Sequence, residues 1–351
     1  MQAKVNHEMV LLARETRGVT QGKLCELVNI PQSSLSKFEH GVLAIPEDTL
    51  RCIANVLDYP TSFFYQNARR FGLGASFIYH RKRKTIPAKK RRQLEANLNV
   101  RVIEICNLVD SIEINTERVF PTMDVDDCRE GAVEIAKLLR TKWKMPLGPI
   151  HNIVDCIESA GGILLECDFA TSKMDSLSIW LEGKPPIFFV NSDIPEDRKR
   201  FTLAHELGHT IMHRDPNPDM EKQADTFASE FLMPKAEISS ALKNFSFSTV
   251  GKLKLKWQVS IKALIFRAHS LGFINHDKYR RMCIEYNRHW RPEPFGLHSQ
   301  IPALLQRIIN IYRNQLDYSD DELATSVMKT SRADFNRYYN ENPTTEIRIV
   351  R

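Results

Sequence analysis

Several features that would restrict the function of a 351-residue chain are missing from this sequence. It has no run of about eighteen or more apolar residues, so no membrane-spanning helix is predicted. The first residues, MQAKVNHEMVLLARETRG, lack the basic start, apolar core and small-residue cleavage site of a secretory signal. The seven cysteines form no C-x-x-C pair, and an odd, dispersed set is typical of reduced thiols rather than of disulfides. These absences predict a cytoplasmic protein with no membrane partner.

Acidic residues are also missing from one segment. Residues 66–92 contain ten Lys/Arg and no Asp or Glu, so the first 92 residues carry a net charge of +9 and the remaining 259 carry −3. The total length suits two or three domains, and 42% hydrophobic and 26% charged residues are typical of packed globular domains. We find no low-complexity segment and no long internal repeat. The basic N-terminal part is therefore expected to contact nucleic acid.

The start of the chain, residues 5–65, predicts a series of short helices. Gly18 ends the first helix, and Thr20 is a favourable N-cap for the second. Asn29 tolerates the left-handed conformation of a tight turn, and Pro31 lies near the start of the third helix. Two short helices joined by a tight turn, with small polar residues heading the second of them, are suited to reading the DNA major groove.

The segments VTQGKLCELVNIPQSSLSKFEHG and IPEDTLRCIANVLDYPTSFFY resemble the Cro/repressor-like (XRE-type) helix-turn-helix domains over most of residues 5–65. The resemblance implies a double-stranded DNA operator as a partner, and the two half-sites of such operators imply a homodimer. It also implies a structural ion pair between Arg14 and Glu39. It places Gln21 at the DNA backbone and four further residues at the groove: Gln32, Ser33, Ser34 and Lys37. The alternative is a helical protein-interaction module, which the nearly neutral charge of residues 1–65 favours.

Residues 80–92 read HRKRKTIPAKKRR, and the sequence alone supports two interpretations of them. One is a solvated linker followed by the start of a helix. The other is an arm that contacts DNA phosphates, and it assigns four residues to DNA: Arg81, Lys82, Arg83 and Lys84. Apolar residues then recur at three- and four-residue steps from Leu94 to Ile112, which predicts a long amphipathic helix. A second helix is predicted from about Asp126 to Trp143.

The segment IFFVNSDIPEDRKRFTLAHELGHTIMH contains the motif H-E-x-x-H. Residues four apart lie on one face of a helix, so His205 and His209 can bind one metal ion, and Glu206 can take a proton from metal-bound water. A catalytic zinc leaves one coordination position for that water and lowers its pKa towards about 7. The preceding PIFFV segment predicts a strand, which we expect to pair with an extended peptide substrate.

A third protein ligand is expected from the next acidic helix, MEKQADTFASEFLMP. Glu221 and Asp225 lie four residues apart and share a face, so Glu221 can bind the metal while Asp225 accepts a hydrogen bond from a ligand histidine. The swapped roles stay open, as does an ordinary solvated helix face. His213 extends the row of His205 and His209 by one turn, and we expect it to support the ligands rather than to bind the metal.

These segments, with MDSLSIW before them and LKLKWQVSIKALIFRAHSLGFI after them, resemble the ImmA/IrrE metallopeptidase family over about residues 140–295. The resemblance implies one zinc ion per chain, bound by His205, His209 and Glu221, with Glu206 as the general base. It also implies single-site cleavage of a helix-turn-helix repressor, which releases stress or mobile-element genes from repression. Asp225 stands where many members of the family have asparagine.

Together the patterns predict an α+β, mostly helical protein. Residues 1–68 are expected to form a five-helix helix-turn-helix domain, 69–125 a basic linker and connecting helix, 126–295 a minimal zincin-like metallopeptidase domain with a small sheet, and 296–351 a short helical appendage without a chemical motif. The predicted function is a DNA-binding transcriptional regulator whose zinc endopeptidase cleaves a repressor or the chain itself. Two alternatives stay open: a transcription factor whose metallopeptidase-like domain is a non-catalytic ligand or metal sensor, and an antitoxin-like interaction scaffold.

Overall fold

The computed structural model describes residues 4–71, 87–169 and 174–340, and these residues divide into two compact units. The first unit contains residues 4–71, 87–113 and 306–340, and the second contains residues 114–169 and 174–305. No helix within the described ranges is long and apolar enough to cross a membrane. The chain is mostly helical with one small sheet, so the predicted α+β fold class is confirmed.

The first unit begins with four helices and a short 3-10 helix: α1 (His7–Thr16), α2 (Gln21–Val28), α3 (Gln32–Glu39), α4 (Glu47–Leu57) and Thr61–Tyr65. The Thr20 hydroxyl caps α2 by accepting a hydrogen bond from the Lys23 amide at 3.2 Å. Asn29 ends α2 in the left-handed region, with φ 53° and ψ 50°. The predicted cap and turn are thus confirmed, and they fix the direction in which α3 leaves α2.

A buried ion pair joins α1 to the end of α3. Arg14 donates to Glu39 through Nε at 2.5 Å and through Nη2 at 2.9 Å, and Gln21 donates to the same carboxylate at 2.6 Å. Both charged residues are buried, so each charge is balanced where water is scarce. The resemblance to XRE-type domains implied this pair, and the structure confirms it.

The long helix α5 (Ala88–Val109) packs against α1. Gln93 donates to the carbonyl oxygen of Thr16 at 3.0 Å, and Ala96, Val100 and Ile103 are buried in the core that α1–α4 form. The predicted connecting helix therefore belongs to the core of the first unit, because one of its faces covers the apolar side of the N-terminal helices.

The structure places the described C-terminal residues in the first unit as well. They form α14 (Leu304–Asn314), then α15 (Asp320–Glu322) continuing as a π-helix (Leu323–Met328), and α16 (Arg332–Phe335) continuing as a π-helix (Asn336–Asn340). The Tyr312 hydroxyl donates to the carbonyl oxygen of Leu108 at 2.8 Å, and Arg17 pairs with Asp334 at 2.7 Å. The sequence predicts only a helical appendage here, because local patterns do not reveal contacts between residues 204 or more positions apart.

A buried polar network holds the last of these helical segments against α5. Glu104 is fully buried and accepts hydrogen bonds from Arg101 at 2.8 Å and from the Tyr339 hydroxyl at 2.6 Å. Burial raises the pKa of Glu104, while the Arg101 charge and the Tyr339 hydroxyl act against that rise. The guanidinium of Arg101 also lies over the ring of Tyr338, 3.2 Å from its centroid.

The second unit contains a three-stranded sheet of β1 (Ile163–Cys167), β2 (Ser176–Ile179) and β3 (Ile187–Asn191), in the order β1-β3-β2. Strand β1 is parallel to β3, and β2 is antiparallel to it. The PIFFV segment is therefore the central strand, and the expectation that it pairs with a peptide substrate is wrong because its neighbours occupy both edges. Strand β2 is at an edge of this sheet.

The helices of the second unit come before and after the sheet in the chain. The two before it are α6 (Ala132–Lys142) and α7 (Ile153–Glu158). Those after it are α8 (Glu196–Met212), α9 (Met220–Leu232), α10 (Lys235–Leu242), α11 (Phe247–Trp257), α12 (Ile261–Ser270) and α13 (His276–His289). The H-E-x-x-H segment is in α8 and the next acidic segment is in α9, as predicted. Helix α6 begins at Ala132 rather than near Asp126, because Gly131, with φ 55° and ψ −132°, lies outside the helical region.

Gly208 allows α9 to lie close against α8. A Cβ atom at this position would lie 2.9 Å from the ring of Phe227, which is closer than real Cβ atoms approach a neighbour. Phe227 is fully buried and stacks on Phe231, with 5.4 Å between the ring centroids. The glycine inside the motif therefore sets the separation of the two helices, and with it the distance between the motif histidines and the acidic residues of α9.

Candidate metal centre

The two motif histidines turn their Nε2 atoms towards a common point. His205 and His209 lie one turn apart on α8, and their Nε2 atoms are 2.9 Å apart. On the other side of its ring, Nδ1 of His205 is 2.8 Å from Oδ1 of Asp225 on α9. Because a carboxylate accepts hydrogen bonds, Nδ1 of His205 carries the proton and its Nε2 presents a lone pair.

A second series of hydrogen bonds orients His209. Its Nδ1 is 2.9 Å from Nδ1 of His213, whose Nε2 is 2.8 Å from Oε1 of Gln223. Nε2 of His213 therefore donates to Gln223, and its Nδ1 accepts the proton that Nδ1 of His209 donates. Burial lowers the pKa of His213 to about 4, which keeps this ring neutral as the series requires. Nε2 of His209 is thus left with a lone pair as well.

Glu221 on α9 completes a set of three ligand atoms. Its Oε1 lies 3.4 Å from Nε2 of His209, its Oε2 lies 3.7 Å from Nε2 of His205, and the ligand atoms of the three residues all lie within 4.8 Å of one another. Two nitrogen lone pairs that face each other at 2.9 Å repel unless a cation lies between them. Tetrahedral zinc with bonds of about 2.0–2.1 Å separates its ligand atoms by about 3.3 Å, so this donor set fits a site with two histidines and one glutamate.

The charge around His205 is negative. Burial lowers the pKa of His205, but the hydrogen bond to Asp225 and the nearby carboxylates of Glu206 and Glu221 outweigh burial and raise the pKa above its ordinary value. An environment that favours a protonated histidine also favours a bound cation. Glu221 lies near both Nε2 atoms while Asp225 contacts Nδ1, so the geometry favours Glu221 over Asp225 as the metal ligand.

The residues expected at the DNA groove lie in the first unit. Gln32, Ser33 and Lys37 are exposed on α3, and Ser34 is half-buried beside them. The Gln21 amide donates to the buried carboxylate of Glu39. The roles of these residues in DNA binding stay predictions, and the basic residues Arg81, Lys82, Arg83 and Lys84 lie outside the described residues.

Comparison with protein-family models gives two matches. Residues 11–64 match the helix-turn-helix model, and residues 158–269 match a peptidase-family model described as an IrrE N-terminal-like domain. The chain joins an XRE-type helix-turn-helix domain to an IrrE/ImmA-like domain. A comparison with curated proteins gives no match.

The IrrE-like domain contains the three converging ligand residues and Glu206, and the helix-turn-helix domain contains the exposed face of α3. This combination makes the chain a transcription regulator with a peptidase-like domain. Metal dependence is typical of such a peptidase family, and the His/Glu cluster is the candidate site for the metal in the described part of this chain.

Two residues of the IrrE-like domain that contact Glu206 were missed by the sequence analysis. Ser176 donates to Oε1 of Glu206 and Ser178 donates to Oε2, each at 2.7 Å, and Glu206 is only 2% exposed. Both serines lie on edge strand β2, where alternate residues point to the same face. The signal was present as the alternating serines of MDSLSIW, but only the structure shows that β2 lies against the motif helix.

Proposed function

We propose that the chain is a DNA-binding transcriptional regulator whose IrrE-like domain is a zinc-dependent endopeptidase that cleaves a repressor protein or the chain itself. The observation that carries the proposal is the convergence of three ligand atoms from His205, His209 and Glu221 next to the buried carboxylate of Glu206. Hydrolytic zinc sites use this donor set with a carboxylate base beside it.

A zinc ion held by His205, His209 and Glu221 would polarise the peptide carbonyl and make a water molecule acidic at neutral pH. Glu206 accepts a proton from that water while the water oxygen bonds to the carbonyl carbon, and it then delivers the proton to the departing amide nitrogen as the C–N bond breaks. Ser176 and Ser178 each bind one oxygen of this carboxylate, so they hold Glu206 in one orientation on the face of α8. The hydrogen bonds from His205 to Asp225 and from His209 to His213 fix both ligand rings.

Strand β2 is the segment on which we expect an extended substrate peptide to lie. It forms an edge of the described sheet, and its two serines contact the proposed base. An edge strand offers unpaired backbone donors and acceptors to a peptide that adds as a further strand. The scissile bond of a peptide bound there lies beside Glu206.

Transcription control follows from the other domain. The exposed residues of α3 read an operator, the chain binds it as a homodimer, and cleavage of a repressor releases stress or mobile-element genes. Binding of the wild type to operator DNA, compared with Gln32→Ala and Lys37→Ala in a salt titration, tests the groove assignment. Unchanged affinity in both variants contradicts it and favours the interaction scaffold.

The peptidase assignment is tested by comparing the zinc-loaded wild type with Glu206→Gln, using a panel of helix-turn-helix repressors and the chain itself as substrates. Glu182→Gln is the matched control, because Glu182 is an exposed residue of the same domain. We expect site-specific cleavage by the wild type and the control but not by Glu206→Gln, with equal zinc content in all three. Zinc binding without any cleavage that depends on Glu206 contradicts the peptidase and favours the metal or ligand sensor. Proteomics of stressed cells carrying each variant identifies the cleaved protein.

A further inference from the structure

The C-terminal residues of the first unit repeat the backbone pattern of its N-terminal helix-turn-helix. In the N-terminal motif, Thr20 caps the second helix, and Asn29 ends it in the left-handed region with φ 53°. In the C-terminal segment, Ser319 caps α15, and Lys329 ends the helical stretch in the left-handed region with φ 58°. The next helix begins three residues after the left-handed residue in both cases, at Gln32 and at Arg332.

A triad of polar side chains repeats as well. In the N-terminal motif, Arg14 from the first helix and Gln21, the first residue of the second, both donate to Glu39 at the end of the third. In the C-terminal segment, the corresponding residues are Arg313, Asp320 and Asn340. Arg313 donates to Asp320 at 2.7 Å and to the side-chain oxygen of Asn340, and Asn340 donates to Asp320 at 3.0 Å. The same three helix positions are thus joined in both motifs.

The spacing of the triad differs between the motifs for an identifiable reason. In both motifs the arginine lies seven positions before the first residue of the second helix. From that first residue to the third member is 18 positions in the N-terminal motif, which ends at Glu39, and 20 positions in the C-terminal segment, which ends at Asn340. The C-terminal segment contains two π-helical stretches, Leu323–Met328 and Asn336–Asn340. A π-helical stretch contains one more residue than the α-helical turn it replaces, so two of them account for the two additional positions.

The apolar residues that hold each motif together also correspond. Leu24 and Cys25 in the second helix of the N-terminal motif are buried, as are Leu323 and Ala324 in the C-terminal segment. In the third helix, Leu35 and Phe335 are both fully buried. The C-terminal segment therefore has the internal packing of a helix-turn-helix in addition to its backbone pattern.

The exposed face of the C-terminal third helix is basic. Arg337 is exposed, like its counterpart Lys37, and Arg332 retains 41% side-chain exposure at the position of Gln32. The acidic residue of this helix, Asp334, is buried and pairs with Arg17 at 2.7 Å, whereas Asp320 of α15 pairs with Arg332 at 3.0 Å and offsets part of its charge. Helix α3 offers one basic residue at the equivalent surface, and the C-terminal helix offers two.

We propose that residues 304–340 form a second helix-turn-helix motif and that its face containing Arg332, Ala333 and Arg337 binds double-stranded DNA. The ligand class follows from the match with a DNA-reading motif in backbone, side-chain triad and packing, and from the two arginines on the solvent side of the third helix. When one motif of the chain is bound to an operator, the other motif is held close to the same or a neighbouring operator. Its contact is then intramolecular, and this increases the affinity of the chain for DNA.

The test uses the full chain and a mixed-sequence DNA duplex of about 40 base pairs, with binding measured by fluorescence anisotropy over a salt series. The variant is Arg332→Ala with Arg337→Ala, and the matched control is Lys252→Ala with Lys256→Ala, an exposed pair on α11 of the other unit. We expect the variant to bind about tenfold more weakly or worse at low salt and to reduce the slope of log affinity against log salt by about 2, since each lost phosphate contact removes about 0.9. Affinity and slope equal to those of the control overturn the proposal and leave the motif as a protein contact or a structural element.

Arg332 also pairs with Asp320 at 3.0 Å, so replacing it removes an ion pair that helps to hold the segment together. A second measurement therefore leaves both arginines in place. A photoreactive benzoylphenylalanine replaces the exposed Ala333, and Leu147 in the other unit, which is 88% exposed, is the control position. We expect light-dependent crosslinks to the duplex from position 333 in excess of those from position 147. Equal crosslinking from both positions overturns the proposal.

Discussion

Replacing Tyr339 by phenylalanine should destabilise the first unit by about 2 kcal/mol, because a hydrogen bond to a charged group contributes about 1.5–3 kcal/mol. The Tyr339 hydroxyl donates to Oε2 of Glu104 at 2.6 Å, and both residues are buried, so water cannot replace the lost donor. Only one hydroxyl is removed, and the ring that packs beside Phe335 stays in place. The expected loss therefore measures the attachment of the C-terminal segment to α5.

The matched control is Tyr338→Phe. Tyr338 is the next residue, it is 37% exposed, and its ring rather than its hydroxyl contacts Arg101. Urea titration followed by hydrogen exchange of the amides of α5 reports the free energy of unfolding of this unit alone. We expect a loss of about 2 kcal/mol for Tyr339→Phe and less than about 0.5 kcal/mol for the control. Equal small losses in both variants would refute the conclusion that the C-terminal segment is docked through Glu104.

Three further predictions concern the second unit. Asp225→Asn should weaken zinc binding by about 10–100-fold without abolishing it, because it alters the acceptor that orients His205; competition with a fluorescent chelator measures this. Gly208→Ala should cost about 1–3 kcal/mol of unfolding free energy through overpacking against Phe227, and thermal unfolding that matches the wild type contradicts the close approach of α8 and α9. In metal-free protein, stability should fall as the pH drops from 6.5 towards about 4, because His213 stays neutral in the fold while the unfolded chain takes up a proton; urea titrations should show a flatter pH dependence for His213→Asn.

The N-terminal motif and the candidate metal ligands were predictable because each depends on local spacing. Thr20 lies eleven residues and Asn29 two residues before Pro31, and the structure places them in the predicted cap and turn. His205 and His209 lie on one helix, where a four-residue spacing brings side chains together. Glu221 belongs to the next helix, so only the short connection between α8 and α9 had to be assumed.

The features that escaped prediction depend on tertiary contacts or on an unusual helix type. Ser176 and Ser178 lie on β2 and contact Glu206 on α8, although β3 lies between β2 and α8 in the sequence. The PIFFV segment itself contains no pattern that marks it as the central strand. The repeated helix-turn-helix pattern was hidden because two π-helical stretches shift the register, so the two motifs do not align at constant spacing. Sequence patterns are read with the 3.6-residue period of the α-helix, and that period does not reveal where a π-helical stretch inserts an additional residue.

The first unit is interrupted in the sequence by the whole of the second, since its parts lie before residue 114 and after residue 305. A ribosome must therefore synthesise the whole of the second unit before Tyr339 can reach Glu104, and the N-terminal helices lack this contact until then. Premature termination within the intervening region yields a fragment with an incomplete first unit, and such a fragment is a target for proteases. A discontinuous first unit thereby couples its completion to the synthesis of the peptidase-like domain on the same polypeptide.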